Sequence, residues 1–302
     1  MQREAMSNLP RRVLVLVALV GLPFTAPPAL AQRNEPSNQE EPSSATPSTE
    51  EERWAAEEEP SQLEPPKAQS SEPTGIPADV VLALRGAYGV PGGRFAEGGS
   101  DLSDAIAGLA SVQLDIGALL ENGLYFGAYV QYGFGVLGSE IAGACDEAER
   151  VQPGTEVSCS ASDIRAGIAF EYHHGAGKNR KPFDPWLGVG TGIESVRWQV
   201  AAQDGASAAT LTQTAMGFEY VSGHFGVDFA LADWFALGPY LSFSAGSYGS
   251  AKLSCEGDCE GVSTGSGEIV NTSLHTWSFF GVHALFQIDP SQPEQAKETD
   301  EP

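Results

Sequence analysis

Between positions 77 and 289 apolar residues recur at every second position. Over 124–136 the even positions are Leu124, Phe126, Ala128, Val130, Tyr132, Phe134 and Val136, whereas the odd ones are Tyr125, Gly127, Tyr129, Gln131, Gly133 and Gly135. Strict alternation of this length predicts a strand with two unlike faces. Seven further stretches read the same way, around 80–90, 112–118, 164–172, 187–193, 221–231, 235–246 and 274–288. The expected fold is all-β, with eight strands mostly about ten residues long, the length that crosses a bilayer when tilted.

The second face decides which side looks inward. It is mostly Gly, Ala and Ser with isolated charges, and the strands almost lack Lys. An eight-stranded antiparallel barrel encloses barely enough room for side chains. Small residues and paired charges suit such a lumen and bulky aliphatics suit lipid, whereas a soluble barrel would carry Lys and Glu outside. Connections alternate in length: long at 91–109, 138–162, 200–215 and 248–273, short at 121–123, 174–185 and 232–234. Asn122-Gly123 is a tight-hairpin signal. Long loops at one end and short turns at the other form the outer-membrane pattern, with both chain ends in the periplasm. Aromatics at strand ends supply two girdles: Phe126, Tyr172, Phe235 and Phe286 near the turns, Tyr88 and Tyr132 near the loops. Closure is required because hydrocarbon offers nothing to edge-strand amides. An outward hairpin near 194–220 lengthens or adds strands, so ten is the alternative count.

The segments before the barrel read differently. Arg11 and Arg12, the apolar run 13–22 and the small-residue site Ala29-Leu30-Ala31 make residues 1–31 a secretory signal peptide. Residues 32–76 form a Glu-, Pro- and Ser-rich arm. Its eleven Glu against Arg33, Arg53 and Lys67 give −8, too polar to offset the entropy of ordering, so a disordered periplasmic spacer is expected. Residues 290–302 form an acidic tail. Over the whole chain 16 Lys and Arg oppose 40 Asp and Glu, a net charge of −24. That balance argues against a nucleic-acid partner. No run of about 18 apolar residues predicts a spanning helix. The mean hydropathy of −0.16 averages an apolar belt with polar loops and the arm. Gly, at 35 of 302 residues, fits the packing of a narrow lumen.

The stretches PWLGVGTGIE (185–194) and GHFGVDFALADWFALGPYLSFSAGSYG (223–249) resemble the small outer-membrane β-barrel superfamily, which includes the transmembrane domain of outer-membrane protein A. The resemblance covers about 77–288. It implies an outer-membrane barrel inserted by the barrel-assembly machinery, and its glycine-aromatic motifs carry no information on ligand; a monomer is expected. Family barrels commonly end on a terminal aromatic; here Phe286 is followed by the tail, so the insertion signal is internal. No peptidoglycan-binding domain is expected after the barrel.

Candidate chemistry is sparse. Cys145, Cys159, Cys255 and Cys259 should be oxidised after export, and local pairs 145–159 and 255–259 are favoured over a metal site at CEGDC, which has no nearby His. Arg85, Asp115, Arg165, Glu171, Glu194 and Asp228 share lumen parity and are expected to form a charge ladder, with Arg165 compensating Asp228 or Glu171. A gated ion path is the sharper alternative. His173 and His174, followed by Lys178, Arg180 and Lys181, read as a solvated turn; a metal pair or a contact with an anionic polymer is the competing reading. Ser278 has lipid-facing parity whereas His275 and His283 face the lumen, so a lipid A-modifying site does not assemble and no enzyme activity is expected. Acidic residues in loops 138–162 and 248–273 could bridge lipopolysaccharide phosphates through divalent cations. No cofactor is implied. The reading is a structural or surface-interaction barrel in the outer membrane of a Gram-negative bacterium. A narrow porin-like channel is the alternative, and the surface ligand is left open.

Overall fold

The computed structural model describes residues 78–151, 153–175, 181–259 and 261–288; the signal peptide, arm and tail, with Lys178 and Arg180, lie outside them. Nine strands and two helices follow in order: β1 Ala78–Gly93, α1 Leu102–Ala105, β2 Ile106–Leu120, β3 Leu124–Leu137, α2 Ser139–Val151, β4 Glu156–His173, β5 Phe183–Asp204, β6 Ser207–Ala232, β7 Phe235–Gly257, β8 Gly265–Glu268 and β9 His275–Ile288. Neighbours pair antiparallel from β1 through β7, β7 pairs with β9, and β9 returns to β1. Eight strands therefore close a ring. The short β8 pairs only with β7, and the 194–220 segment lengthens β5 and β6 without adding strands.

Register sets the shape. Starting at Val81, the pairing passes through Gly117, Gly127, Ala169, Gly190, Ser222, Ser244 and Trp277 and returns to β1 at Pro91, ten residues further along. With about 3.3 Å per residue against eight strand spacings of about 4.8 Å, that stagger tilts the strands by roughly 40°. The lumen of such a barrel is filled by side chains rather than open.

The alternation resolves as the sequence implies. Leu124, Phe126, Val130, Tyr132 and Phe134 lie exposed on the outer face, and Tyr125, Tyr129 and Gln131 are buried inside. On β5 the outward positions run Leu187, Val189, Ile193, then change to Ser195, Arg197 and Gln199, which marks the edge of the lipid belt. Strands β5, β6 and β7, at 22, 26 and 23 residues, exceed the ~9–11 needed to cross and continue past it. The expected loop 200–215 is therefore largely strand, closed by a tight turn in which Gly205 has φ +59°. The expected loop 138–162 is likewise α2 plus the first turns of β4. Among the described residues no helix is long and apolar enough to span a membrane.

Glycine makes room for rings in the lumen. A Cβ on Gly226 would lie 2.5 Å from Trp186 Cζ2, and one on Gly89 would lie 2.5 Å from Phe279 Cε1. Small and large residues thus interlock across the narrow interior.

Candidate functional site: the filled lumen and its outer crown

Three polar layers cross the lumen. In the first, Arg85 Nε donates to Asp115 Oδ2 at 3.1 Å and Nη2 to Glu171 Oε1 at 2.6 Å. Gln113 donates to the other oxygen of Asp115 at 2.8 Å. The guanidinium lies over Trp186 and Tyr240, 5.1 and 5.6 Å from their ring centres. All these side chains are buried.

The second layer lies toward the long loops. Arg165 sits directly across from Glu194 in the β4–β5 register and from Gln131 in the β3–β4 register. Its guanidinium meets Asp163 at 2.7 Å, Glu194 at 3.1 Å and Glu219 at 3.1 Å, and donates to Ser244 Oγ at 3.0 Å. Glu194 also accepts from Tyr248 at 2.5 Å and Trp277 Nε1 at 3.1 Å, with His275 Nε2 at 2.9 Å. Tyr129 donates to Glu219 at 2.9 Å. Planar guanidinium groups, each able to serve several carboxylates, suit such crowded sites better than Lys.

The third layer lies at the short-turn end. His173 Nδ1 is 2.8 Å from Asp184 Oδ2, and His283 Nδ1 is 3.0 Å from Asp228 Oδ2.

The six charged residues expected to form one ladder thus divide among three layers. Arg165 compensates neither Asp228 nor Glu171. Those sit at other heights, because parity gives a residue's face and not its level: Glu171 is six residues along β4 from Arg165, and the ring's register sets the level of Asp228. His173 is also not solvated: it is 2% exposed, stacked on Trp186, while His174 faces out. Asp184 escaped sequence reading because it falls in the stretch read there as the turn 174–185, and Asp163 because it lies between the loop 138–162 and the strand read from 164. Glu219 escaped because β6 bulges between Glu219 and Val221. Tyr220 and Val221 both point outward there, so the alternation changes phase and Glu219 turns inward. The outward pair itself is the sequence signal that could have found it. Ser278 lies on the face opposite to the buried His275 and His283, so these three do not converge.

An apolar lid covers the long-loop end. Phe95, Leu102, Ile106, Ile141, Val196, Trp198 and Tyr248 form one buried cluster. Phe95 lies 5.2 Å from the Trp198 ring and 5.3 Å from that of Tyr248. Beside it, Ala148 of α2 packs on Val200, and Cys145 is bonded to Cys159, tying the helix to β4. Cys255 is bonded to Cys259 at the tip of β7.

A closed antiparallel ring with an apolar outer belt and a polar, filled interior defines an outer-membrane β-barrel of the small, eight-stranded class. No family model and no curated protein matches the chain. Among solved structures it is similar to Neisserial surface protein A, at 14% identity over 69% of this chain and 96% of that one, with a TM-score of 0.33. It is also similar to a major outer membrane protein from Thermus thermophilus, at 15% identity over 70% and 99%, TM-score 0.39. For OprG from Pseudomonas aeruginosa the values are 10% identity over 69% and 96%, TM-score 0.35.

Proposed function

We propose that this barrel is a surface-interaction protein of the Gram-negative outer membrane rather than a conduit, with its long-loop end outside and both termini in the periplasm. One observation carries the reading: an ordered crown, built from α2 and the extended β5–β7 strands, stands on a lumen crossed by ionic layers and covered by an apolar lid. Side chains that hydrate an ion path would have to face water, whereas Arg85 and Arg165 are 1% and 2% exposed and bound to carboxylates, several of them across the lumen. The crown's outward face is polar, with Arg197, Gln199 and Thr214 on the sheet and Glu140, Asp146 and Glu149 on α2 or its start. Polar groups on a pre-ordered scaffold bind with little entropy lost on ordering. Lipopolysaccharide phosphates bridged by divalent cations are neighbours of matching chemistry.

Planar-bilayer recording on the purified barrel tests this, paired with protease or antibody access to α2 on intact cells. The expected result is no steady conductance and an accessible helix. Reproducible single-channel steps in the wild-type protein would overturn the reading in favour of a narrow channel.

A further inference from the structure

The short-turn end of the lumen gathers buried carboxylates and imidazoles. Asp184 and Asp228 are direct partners in the β5–β6 register, both facing inward, at 8% and 1% exposure. Like charges directly opposite one another in a sheet repel, and burial makes each carboxylate costly to leave unpaired. Arg85, a neighbouring base, already serves Asp115 and Glu171. The groups in contact with the aspartates are the Gly175 backbone N–H, which donates to Asp184 Oδ1 at 2.6 Å, and two imidazoles: His173 against the other oxygen of Asp184, and His283 against both oxygens of Asp228 at 3.1 and 3.0 Å. Glu171 adds a further carboxylate 3.4 Å from His173 Nε2.

We propose that His173, Asp184 and Asp228 bind one divalent transition-metal cation, with Zn²⁺ as the best-fitting ion. Their donor atoms, drawn from three successive strands, all lie within 4.8 Å of one another. Tetrahedral Zn²⁺ with bonds of about 2.1 Å spaces its donors by roughly 3.4 Å, so these donors lie within about 1.5 Å of that spacing. The mixture of imidazole and carboxylate selects against soft Cu(I), which prefers sulfur, and against Ca²⁺ and Mg²⁺, which prefer oxygen alone. His283 is the positioning residue. It lies against Asp228 from β9, while its Nε2 is buried with no hydrogen-bond partner among the described residues. Trp186 holds both rings, stacked on His173 at 5.8 Å and edge-on to His283 at 5.0 Å. The Asp184 side chain keeps 12% exposure, which gives an ion a way in from the short-turn end. Three protein ligands leave a fourth position for water. A bound cation would pin β4, β5 and β6 together where the long loops cannot reach.

The test uses the full-length protein folded in detergent, stripped with a chelator and titrated with Zn²⁺ alone by calorimetry. Co²⁺ absorption then reads the ligand field. One Zn²⁺ per chain is expected, with tetrahedral Co²⁺ bands and a Zn²⁺-dependent rise in the temperature of the gel-mobility shift. Asp184→Asn with Asp228→Asn removes the charges at constant shape and should abolish uptake. His283→Gln should weaken it about 10- to 100-fold, as loss of an outer partner does. Neutralising the outer acids Glu140, Asp146, Glu147 and Glu149 should change nothing. Folded wild-type protein that takes up no stoichiometric Zn²⁺ or Co²⁺ overturns the proposal without recourse to any variant. So does uptake that survives the double Asn variant, or that disappears with the outer acids.

Discussion

Replacing Arg165 with Met removes the cation at the centre of the second layer while keeping an unbranched, apolar stem of similar length. Its three carboxylate partners do not lose equally. Glu194 retains Tyr248, His275 and Trp277, and Glu219 retains Tyr129. Asp163 is fully buried, its Oδ2 contacts Arg165 and its Oδ1 has no hydrogen-bond partner among the described residues, so it is left without compensation. Breaking a buried pair by removing one member costs about 3–5 kcal/mol, chiefly the penalty of the stranded charge. The loss should therefore trace mainly to Asp163. Adding Asp163→Asn to Arg165→Met should restore at least half of it. The assay is urea unfolding in lipid vesicles, followed by the change in gel mobility between folded and unheated or unfolded and heated barrel. Arg150→Met, which breaks the exposed pair with Glu147, serves as the control and should leave the midpoint unchanged. The reasoning fails if Arg165→Met shifts stability by less than about 0.5 kcal/mol, the scale of an ordinary surface substitution. It fails equally if Asp163→Asn gives no rescue.

Two further predictions test other parts of the structure. Val130 sits at the middle of β3 on the outer face, 50% exposed; Val130→Arg should destabilise the folded barrel in vesicles by about 2–4 kcal/mol, as a cation at mid-membrane does. The same change at Val270, in the loop before β9, should be silent, and equal effects at both sites would contradict the lipid-facing assignment. Replacing Cys145 and Cys159 with Ser opens a crosslink spanning 14 positions, worth about 3 kcal/mol by loop closure. Because α2 lies outside the ring, this should let the helix unfold locally and trypsin cut after the already exposed Arg150, while the heat-shift temperature of the barrel stays put.

What the chain states by itself is which residues face lipid and which face the lumen. Side chains on a strand alternate with period two, and a bilayer outside a narrow lumen demands opposite chemistry on the two faces, so local sequence carries the pattern wherever the alternation is unbroken. The eight crossing segments, the short turns and the inward glycines follow from that contrast. Which charge meets which does not. Parity assigns Arg165, Glu171 and Asp228 to one interior, but Glu171 lies six residues further along β4 than Arg165, and the level of Asp228 is set by the register of the closed ring. A single bulge in β6 brings Glu219 inside by changing the phase after a stretch that reads correctly. The lid is equally a tertiary decision: Phe95 and Leu102, Ile141, and Trp198 come from three separate stretches of chain and become a core only when the loops fold over the mouth. Asp184 and Asp228 likewise become neighbours only through the β5–β6 register, and the buried pocket they share with His173 exists because closure brings β4, β5 and β6 side by side.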